Sequence, residues 1–154
     1  MNETLTWINL GCGANILPAP WQNHDRDVDV TKRLPWLDGT VDFILIEHCL
    51  EHVTGPEGFH FMREAYRILK KGGTLRICVP QLRNLSQDAR VSIITCHGHL
   101  MVYCPENMRL MLWTAGFTNV QVEVPRKECD GHWKIPQVGL ETDTLETMRT
   151  EAIK

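Results

Sequence analysis

The chain has 154 residues, 43% of them hydrophobic, and a net charge of −3 with acids and bases interspersed. That is enough chain for a single domain over 1–154 with a real core, and no basic tract points to nucleic acid or an anionic membrane surface. No apolar run is long enough to span a bilayer, and the amino terminus lacks the charged and apolar regions of a signal peptide, so a cytoplasmic protein is expected.

The six cysteines are irregularly spaced. Cys49 and Cys78 lie inside apolar runs, which reads as free, mostly buried thiols. The one grouping that resembles metal ligands is Cys96, His97 and His99 with Cys104. It fits no zinc spacing, and no metal is expected.

In chain order, the apolar run Leu5–Leu10 reads as a buried strand that breaks into Gly11-Cys12-Gly13, a turn where main chain must approach something closely. Ile16 holds the place of the third glycine of the dinucleotide fingerprint, so the turn is not built for a pyrophosphate. Ala14–Pro20 is too short and proline-rich for the full helix a βαβ unit carries there. Trp21–Asp25 reads as a second short strand and Val28–Val30 as a further extended piece. Thr31–Thr40 is a loop with Leu34–Leu37 as an apolar plug and Asp38-Gly39 as a turn.

Val41–Ile46 has the β-branched and aromatic content of a central strand. Glu47–Val53 suits one or two helical turns. A helix starts near Thr54 or Gly55 and runs at helical spacing to Leu69, with Lys70-Lys71 at its end and Gly72-Gly73 as terminator. Thr74–Val79 is a strand, 81–104 a loop with some short helix, and Pro105–Ala115 a helix closed by Gly116. Thr118–Val124 alternates as a strand, 125–140 is a loop that carries ligand-facing side chains, and Leu145–Ile153 is a closing antiparallel strand. Strands separated by helices predict a three-layer α/β sheet.

Five stretches together resemble class I S-adenosylmethionine-dependent methyltransferases: Ile8–Gly13, the acid of Trp21–Asp25, Leu34–Ile44 leading to Leu50–Val53, Ala65–Ile77, and Leu112–Phe117. Within them the chain is most similar to a small group in which Gly-Cys-Gly is followed almost at once by a Trp-x-Asn-x-Asp strand. The resemblance implies a Rossmann-like, mostly parallel sheet, reduced at its amino end and finished by an antiparallel strand. It implies S-adenosylmethionine as cofactor, met by Leu10, Gly11, Cys12 and Gly13 at its amino-acid half. Asp25, with Asp27 second, would accept from the ribose hydroxyls. Asp29 and Val30 would face the adenine, and Glu47 lies at the carboxyl edge of the sheet where ligands bind.

Methyl transfer needs a base only where the acceptor must lose a proton. His48, directly after the central strand, is the first candidate; His97 and His99, before the Pro105 helix, follow by resemblance. His52, beside Glu51, reads as packing, and the Met and Trp residues of 105–116 as core. With no appended domain or basic surface to grip a polymer, a small-molecule or sugar-like acceptor is expected. The missing helix leaves cofactor binding weak, or completed by 125–140, a second copy or a partner chain. The rival readings are a non-catalytic cofactor-binding or interaction module and a nucleotide-binding oxidoreductase.

Overall fold

The computed structural model describes residues 5–82, 86–95, 97–124 and 147–154. Six strands form one sheet in the order β2-β1-β3-β4-β6-β5. They are β1 (Trp7–Leu10), β2 (Trp21–His24), β3 (Val41–Glu47), β4 (Leu69–Pro80), β5 (Thr118–Glu123) and β6 (Thr147–Ile153). The first four run parallel, and β6 lies antiparallel between β4 and β5. The expected closing strand is therefore inserted one place in from the edge. The helices are α1 (Gly55–Ile68), α2 (Gln87–Thr95) and α3 (Pro105–Ala115), with a 3-10 turn at Leu50–His52.

Alternation along the strands sends Ile8, Leu10, Ile44, Ile46, Leu75, Ile77 and Val79 to one face. There they pack on Phe61, Met62, Ala65 and Ile68 of α1 and Met108 and Leu112 of α3. The opposite face carries a smaller aromatic cluster in which Trp7 meets Trp21 and Phe43 edge-on, at ring-centroid distances of 5.1 and 4.7 Å. The helix ends follow their sequence signals. The Glu57 carboxylate accepts from the Thr54 amide at 2.8 Å at the start of α1, and Asn107 accepts from the Cys104 amide at 2.9 Å at the start of α3. Gly116, at φ 112°, closes α3 in the left-handed conformation.

Two expectations are corrected. The Lys70–Gly73 segment does not end a helix. The chain leaves α1 at Ile68 and enters β4 directly, because Leu69 is extended and pairs with Val41. The register then jumps before Phe43 pairs with Thr74, and the four intervening residues fold out as a bulge. Lys70 reaches back to the Asp42 carboxylate at 3.0 Å, and Gly73 is required because a Cβ would sit 2.9 Å from the Lys70 carbonyl oxygen. Val28–Val30 is not extended pairing backbone but part of a turn, since Asp29 folds the chain by accepting from the Thr31 amide and hydroxyl at 2.9 and 2.7 Å. Residues 125–140, expected to face ligand, lie outside the described residues.

The remaining elements match the sequence reading. No helix forms over Ala14–Pro20, the region 81–104 contributes the short α2, and Cys78 is buried with Cys49 half-buried. Among the described residues no helix is long and apolar enough to cross a membrane.

Candidate functional site

The glycine turn leaves the carboxyl end of β1 beside the end of β2. Gly11 has φ +64°, and a Cβ there would lie 2.9 Å from Cys49 Sγ, so both conformation and space call for glycine. Over Gly13, at φ +49°, the space is open. The Cys12 amide donates to the His24 carbonyl at 3.1 Å, tying the turn to β2. The Gly13 amide donates to Asp25 Oδ1 at 3.3 Å. An exposed carboxylate thus stands directly beside the open turn.

Asparagines take over the support that a helix would give. Asn9 and Asn23 face each other across β1 and β2, with Asn9 Nδ2 donating to Asn23 Oδ1 and to the Asn15 carbonyl, each at 3.0 Å. Asn23 Oδ1 also accepts from the Leu17 amide at 3.0 Å, while its Nδ2 donates to the Leu17 carbonyl at 2.9 Å. Asn15 Nδ2 donates in turn to Glu47 Oε2 at 3.1 Å. Two strand side chains and the buried Glu47 therefore pin the 14–17 loop. Sequence reasoning assigned Asn9, Asn15 and Asn23 no role. Asparagines close to the ends of two short strands were the available signal, since they cannot be buried without partners.

The three acids after β2 divide their tasks. Asp27 is committed to structure, with Oδ2 2.6 Å from His24 Nδ1 and Oδ1 accepting from the Asp25 amide at 2.8 Å. These hydrogen bonds, His24 first, hold its carboxyl below the usual aspartate range. Asp29 is likewise lowered, by the Thr31 hydroxyl and amide. Asp25 is the acid left facing the turn. Val30 is buried with Leu34 in the main core, and Leu10 is fully buried at the end of β1.

At the end of β3 the chain turns sharply. His48 has φ 47°, a left-handed conformation uncommon for a side-chain-bearing residue and met often at functional sites. Its amide donates to the Cys78 carbonyl at 2.9 Å, which fixes the turn against β4. The ring points into a cleft of about 340 Å³ lined by His48, Glu51, His52, His97, His99 and Thr147, among others. His48 Nδ1 is 3.4 Å from Glu51 Oε1 and Nε2 is 3.4 Å from Thr147 Oγ1. The Glu51 hydrogen bond raises the His48 pKa above its ordinary value, against the opposing effect of burial.

The cleft therefore unites all three expected bases, His48, His97 and His99. It also holds His52, whose exposed ring meets His99 edge-on at 4.9 Å instead of packing into a helix. Cys49 follows His48 in the chain and packs its Sγ beside Gly11 of the turn. Burial, with Glu51 and then Asp25 adding to it, pushes its thiol up to about 11, so it stays protonated at neutral pH. Burial and Asp25 also raise Cys12. Neither thiol has the electropositive setting of a nucleophile.

Residues 20–77 match the family described as a methyltransferase domain. A norajmaline N-methyltransferase of Rauvolfia serpentina is 40% identical over 88 residues, which are 56% of this chain and 30% of that relative's length. A SAM-dependent methyltransferase from Archaeoglobus fulgidus superposes with a TM-score of 0.70 at 17% identity, over 97% of this chain and 86% of the other. A Haloferax volcanii complex of the Trm112 methyltransferase activator with a methyltransferase gives 0.68 at 16% identity, over 99% and 83%. The fold is the Rossmann-like fold of S-adenosylmethionine-dependent methyltransferases, and residues 20–77 match the methyltransferase-domain family in sequence.

Proposed function

We propose that this chain binds S-adenosylmethionine across the Gly11–Gly13 turn and transfers its methyl group to a small-molecule acceptor held in the histidine cleft. The observation that carries the reading is the adjacency of two half-sites at one sheet edge. An open glycine turn with an exposed carboxylate packs on Cys49, and the residue before it in the chain, the left-handed His48, lines the cleft. The residues fit the cofactor: the turn has room for a bulky ligand over Gly13, and Asp25 offers two oxygens to a pair of vicinal hydroxyls. When bound, the cofactor supplies a methyl group already activated on a sulfonium.

The chain's own contribution is then mainly positioning, an effect worth about 7–11 kcal/mol in well-oriented systems. Leu10, Cys12 and Glu47 build the turn, while Asp29 and Val30 border the adenine side. His48 would take the proton that an acceptor N–H or O–H gives up. The ring is suited to this role because Glu51 holds it in one orientation and steadies its charged form. His97 and His99 form the opposing wall. A small acceptor matches a cleft of about 340 Å³, and the Rauvolfia relative carries a small-molecule acceptor in its name. The cleft beside the turn favours an enzyme over a binding module that merely kept the fold.

Titration calorimetry of S-adenosylhomocysteine into the purified chain tests this directly. Micromolar binding is expected, weakened about tenfold or more in Asp25→Ala by loss of hydrogen bonds to a charged acceptor. Absence of binding to the wild-type chain would overturn the stand-alone reading.

A further inference from the structure

Glu51 presents a problem that methyl transfer does not answer. Its side chain is only 3% exposed, its Oε1 is 3.4 Å from His48 Nδ1, and its Oε2 is buried without a hydrogen-bond partner among the described residues. A carboxylate taken out of water with one oxygen unpaired is costly unless a cation completes it. Among the described residues no lysine or arginine lines the cleft. The groups that do face Glu51 are imidazoles, and one ligating atom from each of Glu51, His52 and His99 lies within 4.8 Å of the others.

The backbone holds this group together. Glu51 and His52 are neighbours in the 3-10 turn, and the Glu51 carbonyl accepts from the amides of Leu100 and Met101 at 2.7 and 3.1 Å. That pairing sets His99 one residue from an anchored position, against residues 47 and 48 places earlier in the chain. His52 and His99 meet edge to face, so neither ring fills the space with a stacked contact.

The geometry points to a divalent transition-metal site in the acceptor cleft, with Glu51 Oε2 and one ring nitrogen each of His52 and His99 as ligands. Two imidazoles and one carboxylate suit zinc, manganese, cobalt or iron(II), whereas magnesium and calcium prefer all-oxygen shells. Ligand bonds of about 2.0–2.2 Å bring donor atoms to about 3.3 Å apart, a contraction that rotation of the His52 and His99 side chains supplies. Three protein ligands leave a position for water or for an acceptor oxygen or nitrogen. Oε1 stays with His48, so the ion and the proposed base share one carboxylate. The sequence grouping of His99 with Cys104 is replaced here by Glu51 and His52.

The test is zinc titration into the chelator-treated full chain without cofactor, repeated with cobalt to read ligand-field absorption. One equivalent is expected to bind at micromolar affinity or tighter. His52→Ala and His99→Ala, which change residues outside the core, should each weaken it about tenfold or more, and His60→Ala on α1 should not. Circular dichroism verifies that each variant is folded. No zinc binding by the folded wild type would overturn the proposal. So would binding that both variants leave unchanged, or that an equal concentration of magnesium displaces. The assay is independent of S-adenosylhomocysteine binding, so it can fail while the methyltransferase reading stands, and the reverse.

Discussion

Gly11 shows how one residue carries both backbone and packing constraints. Alanine there meets an unfavourable left-handed backbone and a sulfur at 2.9 Å in the same step. Gly11→Ala should therefore cost at least about 2 kcal/mol, read as a lowered urea midpoint, with Cys49→Ala restoring part of it by removing the Sγ contact. The sequence announced this position, since a glycine that ends a buried apolar run marks a backbone turning where a side chain does not fit. It was less informative among the acids. Asp25, Asp27 and Asp29 look alike in sequence, and only their partners separate them. Asp27 and Asp29 each also hold a turn, a role that a short-range pattern does not separate from ligand binding.

At the level of elements, two side-chain clusters hold the loops that surround the site. The 34–38 loop is fastened to α1 by Arg67, which donates to the Leu34 and Trp36 carbonyls and to Glu64 and Asp38. Arg67 first, then the Leu34 amide, holds the Glu64 carboxyl below its ordinary value of 4.5 in spite of burial. A lowered folded pKa means stability that is present above the unfolded value and lost as pH falls through the folded one. Glu64→Gln should thus cost about 1–3 kcal/mol at neutral pH. In acid melts the wild type should lose its advantage over the variant as pH drops below about 4.5. The Asn9–Asn23 clamp makes a matching prediction on binding. Asn23→Ala removes one of the two Asn9 Nδ2 hydrogen bonds and both side-chain partners of the Leu17 backbone, so it should destabilise by about 1–3 kcal/mol and lower S-adenosylhomocysteine affinity several-fold in calorimetry.

Most elements were legible because their signals are local. Pro105 and Gly116 bound α3, and the apolar spacing of α1 needs no tertiary information. Lys70–Gly73 misled because basic residues followed by glycines suit a helix end and a β-bulge equally. Pairing of Leu69 with Val41 decides between them, and that is a contact across the sheet.

Over the whole molecule, what stayed illegible in the sequence is what distance in the chain conceals. Glu51 and His99 meet only because backbone amides at 100 and 101 dock on the 3-10 turn. The same holds for β6, whose polar residues left it a thin apolar signal. They are buried: Arg76 Nε and Nη2 donate to Glu151 Oε1 at 3.1 and 2.7 Å across the β4–β6 pair. Glu151→Ala should cost about 3–5 kcal/mol in thermal or denaturant unfolding, because it removes a carboxylate paired with a buried guanidinium.

The helix-less turn after β1 has a consequence for which nucleosides the chain can tell apart. Loop amides held by asparagines carry no aligned peptide dipoles, so the amino-acid end of a cofactor gains little from its charge. 5′-Methylthioadenosine, which lacks that end, should bind within about tenfold of S-adenosylhomocysteine, and added salt should move the two affinities little and in parallel. Competition between the two nucleosides at low and high ionic strength would show whether this turn reads shape in place of charge.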